Sequence, residues 1–111
     1  MKIVWSNFAV SMLKEIYDYH KENANEKTAK KIKTNILNKT NYLNKQYKSG
    51  QIEPLLLELN ENYRYLVSGN YKIIYKIIED NILITDVFDT RQNPEKMIER
   101  KRDVSKKNCD A

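Results

Sequence analysis

Six side chains in the second half of the chain, Tyr63 and Tyr65, Lys72 and Lys76, Asp89 and Arg91, place aromatic rings, cations and a carboxylate in pairs two or four residues apart, within or just after apolar stretches. Rings interleaved with cations can stack on nucleobases and hold phosphates. They can equally grip a partner peptide through apolar anchors and rim charges. Glu58, Asp86 and Asp89 are carboxylates able to act as bases, although nothing local raises their pKa values. His20 is the one histidine and Cys109 the one cysteine, so the sequence offers no metal-ligand set, no disulfide and no Cys–His nucleophile pair. No metal and no cofactor is expected. His20 reads as a packed or rim histidine, and Cys109 as an inert tail residue.

The elements that must position these side chains follow from periodicity. After the apolar start "KIVW", Ser6 is a fitting N-cap, and Ala9, Leu13, Ile16 and His20 recur on one face, with Phe8 and Met12 beside them. Ala29, Ile32, Ile36, Thr40, Leu43 and Tyr47 form a second helical stripe. The two predict an antiparallel helical hairpin turning near "ENANE", with Asn23 and Asn25 supplying turn or cap chemistry and Gly50 stopping the second helix. From Asn62 to Asp89 the period becomes two. Three antiparallel strands are expected, turning at Gly69–Asn70 and at Asp80–Asn81, with Ser68 opposite Tyr71 and Glu79 opposite Ile82.

That register puts Leu66, Ile73, Ile77, Ile82, Ile84 and Phe88 on the face that packs on the helices, with Arg64, Tyr75 and Asp86 in one cross-strand row at its margin. The opposite face then carries Tyr63, Tyr65, Val67, Lys72, Ile74, Lys76, Leu83, Thr85, Val87 and Asp89, continued by Arg91. In that arrangement Lys72 stands opposite Asp89, and Lys76 beside Tyr63 and Thr85. Asn93 and Pro94 open a short helix, "PEKMIERK". Arg91 has two competing roles there, locking the strand-to-helix junction through Asp89 or reaching outward to a partner.

With 111 residues the chain suits one domain. We set that domain at 1–103 with a polar tail at 104–111. No run approaches the ~20 apolar residues of a membrane span, and no basic-then-apolar leader precedes a cleavage site, so a cytoplasmic protein without a membrane role is expected. The net charge of +5 is unevenly placed: Lys27 to Lys48 holds seven lysines and no acid, Gln51 to Asp89 three basic and seven acidic residues, Arg91 to Lys107 seven basic and three acidic. Such charge favours an acidic partner, nucleic acid or protein.

The segments "VWSNFAVSMLKEIYDYH", "YRYLVSGNYKIIYKI" and "ILITDVFDTRQNP", spread over about residues 3 to 94, resemble the RelE/ParE superfamily, the toxic halves of bacterial type II toxin-antitoxin pairs. The resemblance implies an α+β fold in which an N-terminal helical hairpin packs on a mainly antiparallel sheet of three to four strands, with a short C-terminal helix or tail. It also implies a cognate antitoxin whose tail wraps the toxin in a hetero-oligomer, and a role in growth inhibition and plasmid stabilisation. Members like RelE cut mRNA on the ribosome, which needs a base at the ribose hydroxyl and cations on the phosphorane. Their two strand lysines align with Tyr63 and Tyr65, their following arginine with Lys72, and their late arginine approximately with Arg91; a terminal Tyr or His has no counterpart. A nuclease built here would have to rely on Lys72, Lys76 and Arg91. Members like ParE poison DNA gyrase by protein contact, and the chain resembles these better, although it lacks their Pro-Gly-rich connection before the sheet. On that reading Tyr63, Tyr65, Lys72, Lys76, Asp89 and Arg91 bind partners. Gyrase poison, ribosome-dependent endoribonuclease and a relic that only binds antitoxin stay open on the sequence.

Overall fold

The computed structural model describes residues 2–47, 49–59 and 61–99. The tail over 104–111, Cys109, the end of "PEKMIERK" and the Glu58 side chain lie outside the described residues. Strand β1 spans Lys2–Trp5, helix α1 Asn7–Asn23, helix α2 Glu26–Tyr42 and strand β2 Gln51–Ile52. A 3-10 segment follows at Pro54–Leu59, then β3 at Arg64–Ser68, β4 at Tyr71–Ile78 and β5 at Asn81–Asp89. A last helix, α3, covers 95–99.

Capping chemistry sets the helical hairpin. Ser6 Oγ accepts the Ala9 N–H at 3.0 Å, and Asn25 Oδ1 accepts the Thr28 N–H at 2.7 Å, so each helix begins where a short side chain satisfies an orphan donor. The ends differ from expectation. Helix α2 stops at Tyr42, although Leu43 is still buried and Tyr47 still packs at the core edge. Gly50 therefore does not stop the helix. It lies against Tyr75, whose hydroxyl accepts the Gly50 N–H at 3.0 Å and donates to the Tyr47 carbonyl at 3.0 Å; a Cβ at position 50 would collide with the Tyr75 ring.

The sheet is mixed and five-stranded, in the order β1-β5-β4-β3-β2. The "KIVW" start forms its one parallel pair, Ile3 opposite Ile82 and Trp5 opposite Ile84. The Gly69–Asn70 turn is as expected, with Ser68 opposite Tyr71. The second turn lies one residue earlier than expected: Ile78 pairs with Asn81, and Glu79 takes a φ of 54° to close the tight loop.

A β-bulge in β5 changes the rest of the expected register. Tyr75 pairs with Ile84, but Ile74 pairs with Asp86, which leaves Thr85 as the extra residue. Thr85 is fixed by its hydroxyl on the Ile74 carbonyl at 3.3 Å. One inserted residue exchanges the two faces for everything beyond it. Val87 thus joins Leu13, Ile16, Ile73, Tyr75, Ile82 and Ile84 beneath the helices, while Phe88, expected there, packs on the other face with Leu56, Tyr63, Ile74 and Met97. Asp86 leaves the expected row: it is fully buried opposite Ile74, while Arg64 keeps its place opposite Tyr75 and donates to the Gly50 carbonyl at 2.8 Å.

Both faces of the sheet are therefore covered. The helical hairpin covers one; the 3-10 segment and α3 cover the other with Leu55, Leu56, Leu59, Met97 and Ile98. Burying side chains such as Phe88 and Ile74 here contributes about 1.5–3 kcal/mol each. The start of α3 matches the sequence, since Asn93 Oδ1 accepts the Glu95 N–H at 3.1 Å and Met97 N–H bonds the Pro94 carbonyl at 3.1 Å.

Candidate functional site

The six candidate side chains divide between the two faces of the sheet. Tyr63, Tyr65, Lys72 and Lys76 lie on the face away from the helices. Their alternation along β3 and β4 stacks them as two cation–ring pairs, with Lys72 Nζ 4.3 Å from the Tyr65 ring centre and Lys76 Nζ 5.1 Å from that of Tyr63. Each lysine also meets a carboxylate. Lys72 Nζ lies 2.9 Å from Glu53 Oε2, and Lys76 Nζ 3.1 Å from Glu61 Oε1. Glu53 is fully buried and accepts the Leu55 N–H at 3.1 Å as well, so this ion pair ties the 3-10 segment down onto the sheet.

The phenols are tied in the same way. Tyr63 donates to Glu61 Oε2 at 3.0 Å and Tyr65 to Gln51 Oε1 at 3.0 Å. Burial first, and then the hydrogen bond to Glu61, push the Tyr63 phenol well above the ordinary tyrosine range. It stays a proton donor at neutral pH and is no base.

Asp89 and Arg91 lie at the helix-side edge, because the bulge turns Asp89 toward Tyr71 rather than Lys72. Phe88 takes the place opposite Lys72, where Asp89 was expected, and Leu83 the place opposite Lys76, where Thr85 was expected, the latter because the second turn falls one residue early. Arg91 closes a fork on Asp89, Nε to Oδ1 at 3.0 Å and a terminal nitrogen to Oδ2 at 2.9 Å, while its own N–H donates to Oδ1 at 2.9 Å. That hydrogen-bonded guanidinium holds the Asp89 carboxyl below the usual aspartate range. The junction-locking role weighed for Arg91 is thus present in the geometry. Its guanidinium is also half exposed, at the rim of a cleft of about 430 Å³ lined by Met12, Ile16, Tyr19, Tyr71 and Val87.

His20 closes that side of the molecule as a rim residue, Nε2 lying 2.7 Å from the Tyr71 hydroxyl. Burial raises the Tyr71 phenol, with Asp89 adding to the effect. Sequence reasoning missed Glu53 and Glu61, the partners of both lysines. They sit outside any periodic element, and no local signal marks them; only the acidic excess of residues 51–89 hinted that the face cations would be matched. Tyr19 was missed as a cleft residue because it lies off the apolar stripe of α1.

With the Tyr63 phenol protonated and each face cation held by a carboxylate, the arrangement is suited to recognition by shape, aromatic surface and paired charge. Comparison with known proteins agrees on the class. The family described as ParE toxin of type II toxin-antitoxin system, parDE, matches residues 3–94. A solved structure, the chromosomal ParDE TA system from P. aeruginosa, superposes with a TM-score of 0.69 at 20% identity, over 80% of this chain and 95% of that chain, and so shares the fold. No curated protein matches by sequence. Among the described residues no helix is long and apolar enough to cross a membrane. Matched over nearly its whole folded length, the chain belongs to the ParE toxin family of type II toxin-antitoxin systems.

Proposed function

We propose that this toxin arrests growth in the bacterial cytoplasm by binding DNA gyrase through protein contact, and that a cognate antitoxin with an acidic tail neutralises it in a hetero-oligomer. One observation carries the choice of mechanism: the three cations a nuclease would need are already committed. Lys72 is held by Glu53, Lys76 by Glu61 and Arg91 by Asp89, and the bulge puts Arg91 on the other face of the sheet from the two lysines. A phosphorane needs cations converging on one point, unneutralised, with a base at the attacking hydroxyl. Tyr63 and Tyr65, standing where the nuclease lysines align, instead donate to Glu61 and Gln51.

Induced alone, the chain should stop growth, and with its antitoxin it should be harmless. Purified toxin added to gyrase should inhibit supercoiling and trap cleaved DNA, while transcripts mapped by primer extension stay intact. Codon-phased cuts within minutes of induction, with gyrase unaffected, would instead establish the endoribonuclease. Normal growth with folded protein present would leave only an antitoxin-binding relic.

A further inference from the structure

We infer that the solvent face of α2 binds the phosphate backbone of duplex DNA. The inference deepens the gyrase reading above and rests on it for the choice of DNA, since an enzyme that holds a duplex puts that backbone beside any protein that poisons it.

The face is defined by spacing. Lys27, Lys31, Thr34, Asn38, Asn41 and Lys45 follow one another at steps of 4, 3, 4, 3 and 4, so they form one stripe along the helix and the turn after it, opposite the buried Ala29, Ile36 and Leu43. All six are exposed, and the exposed Lys30 flanks them. At 1.5 Å of rise per residue the stripe from Lys27 to Asn41 is about 21 Å long. That length crosses a major groove about 12 Å wide and reaches phosphates on both of its walls.

The chemistry of the stripe is positive charge and hydrogen-bond donors. Lysine, threonine and asparagine side chains are usual phosphate contacts, and no carboxylate lies among them here. Among the described residues no acid pairs with Lys27, Lys31 or Lys45, while Lys30 meets the exposed Glu26 at 3.5 Å. Lys27 stands three and four residues from Lys30 and Lys31, and like charges at those spacings weaken a helix. Helix α1 of the same hairpin shows the ordinary alternative, with Lys14 and Lys21 set among Glu15, Asp18 and Glu22. Cations matched on one helix and unmatched on its neighbour mark α2 as the side that meets an anion.

The kind of anion follows from what the stripe lacks. No aromatic or aliphatic side chain lies on it, whereas single strands are held by stacking on rings and protein partners by buried apolar anchors. Tyr42, the one ring of α2, lines the cleft beside β3 with Val67 and Gly69. A continuous duplex backbone asks for neither rings nor anchors.

The test uses the full chain and a short fluorescent DNA duplex of arbitrary sequence, followed by anisotropy. Binding should be independent of sequence and fall with salt, with a log–log slope of about −3 for three phosphate contacts. Lys27→Gln, Lys31→Gln and Lys45→Gln combined should weaken it about thirtyfold at low salt and remove most of the slope. Lys2→Gln, Lys14→Gln and Lys96→Gln combined, an equal charge change at exposed sites on other elements, should stay within about threefold. With its melt unchanged, the stripe variant should also need about tenfold more toxin to trap cleaved DNA on gyrase. Equal losses in the two variants would reduce the effect to net charge and overturn the stripe. A stripe variant that binds the duplex like wild type overturns it too, and a fall in its affinity for the cognate antitoxin instead would assign the face to that partner. Tighter binding to a duplex RNA of the same sequence would overturn DNA as the ligand. A toxin that traps gyrase without binding the duplex sinks the inference and leaves the gyrase reading standing; duplex binding through the stripe with gyrase unaffected keeps the inference and overturns that reading.

Discussion

Lys72→Met should destabilise the fold through a residue it leaves behind. Glu53 has no solvent-exposed side-chain surface, its Oε2 lies 2.9 Å from Lys72 Nζ, and its other oxygen accepts the Leu55 N–H. Removing one member of a buried pair leaves a charge that water cannot reach, at a cost of about 3–5 kcal/mol where both partners are buried. Lys72 keeps 21% of its side-chain surface, so the penalty here is about 2–3 kcal/mol after that discount. Methionine keeps the stem packed near the Tyr65 ring, which confines the effect to the charge. For a chain of this length the loss lowers the melting temperature by about 10 °C. Adding Glu53→Gln to Lys72→Met should restore more than half of it, because the stranded charge is gone. A melt of Lys72→Met within about 2 °C of wild type would refute the reasoning, since Glu53 would then have no need of its partner. The same variants test function: assayed while folded they should still arrest growth, and a lost arrest with an unchanged melt would move Lys72 from the scaffold to the contact surface.

Arg91→Ala removes an exposed fork and should leave the melting temperature within about 2 °C of wild type, while weakening antitoxin binding or toxicity about tenfold; a large fall in the melt would assign Arg91 to the scaffold. Gly50→Ala forces a Cβ into the Tyr75 ring and should cost about 1–3 kcal/mol in urea unfolding, with a melt equal to wild type as the contrary result. Burial raises the phenols of Tyr63, Tyr71 and Tyr75 above the ordinary value of 10.0. Their contribution is fully present below about pH 10 and is lost as pH rises through the folded values, because the unfolded chain gives up these protons first. Urea midpoints should therefore fall steeply above about pH 10, and Tyr63→Phe should flatten part of that fall.

The elements whose causes are local could be read from the order of the residues. Ser6 and Asn25 cap the helices from their own positions, the two apolar stripes set which sides of α1 and α2 are buried, and Gly69–Asn70 fixes the first hairpin, since a two-residue turn leaves one register. The pairing of Lys76 with Tyr63 followed from that register and was legible too. What lay beyond the sequence turns chiefly on one residue, beside the earlier second turn at Glu79 and Asp80. The stretch "ILITDVFD" alternates as well with a bulge at Thr85 as without one, and only packing chooses between them. With the bulge, Val87 fills the space under α1 and Phe88 meets Leu56 and Met97, elements far apart in sequence whose arrival at opposite faces no local pattern announces. The same step carries Asp89 and Arg91 away from the lysines, so an apparent single surface of rings and charges becomes two. Glu53 and Glu61 complete the division, because an ion pair between a loop and a strand is decided by where the chain returns in space, and tertiary structure alone decides that.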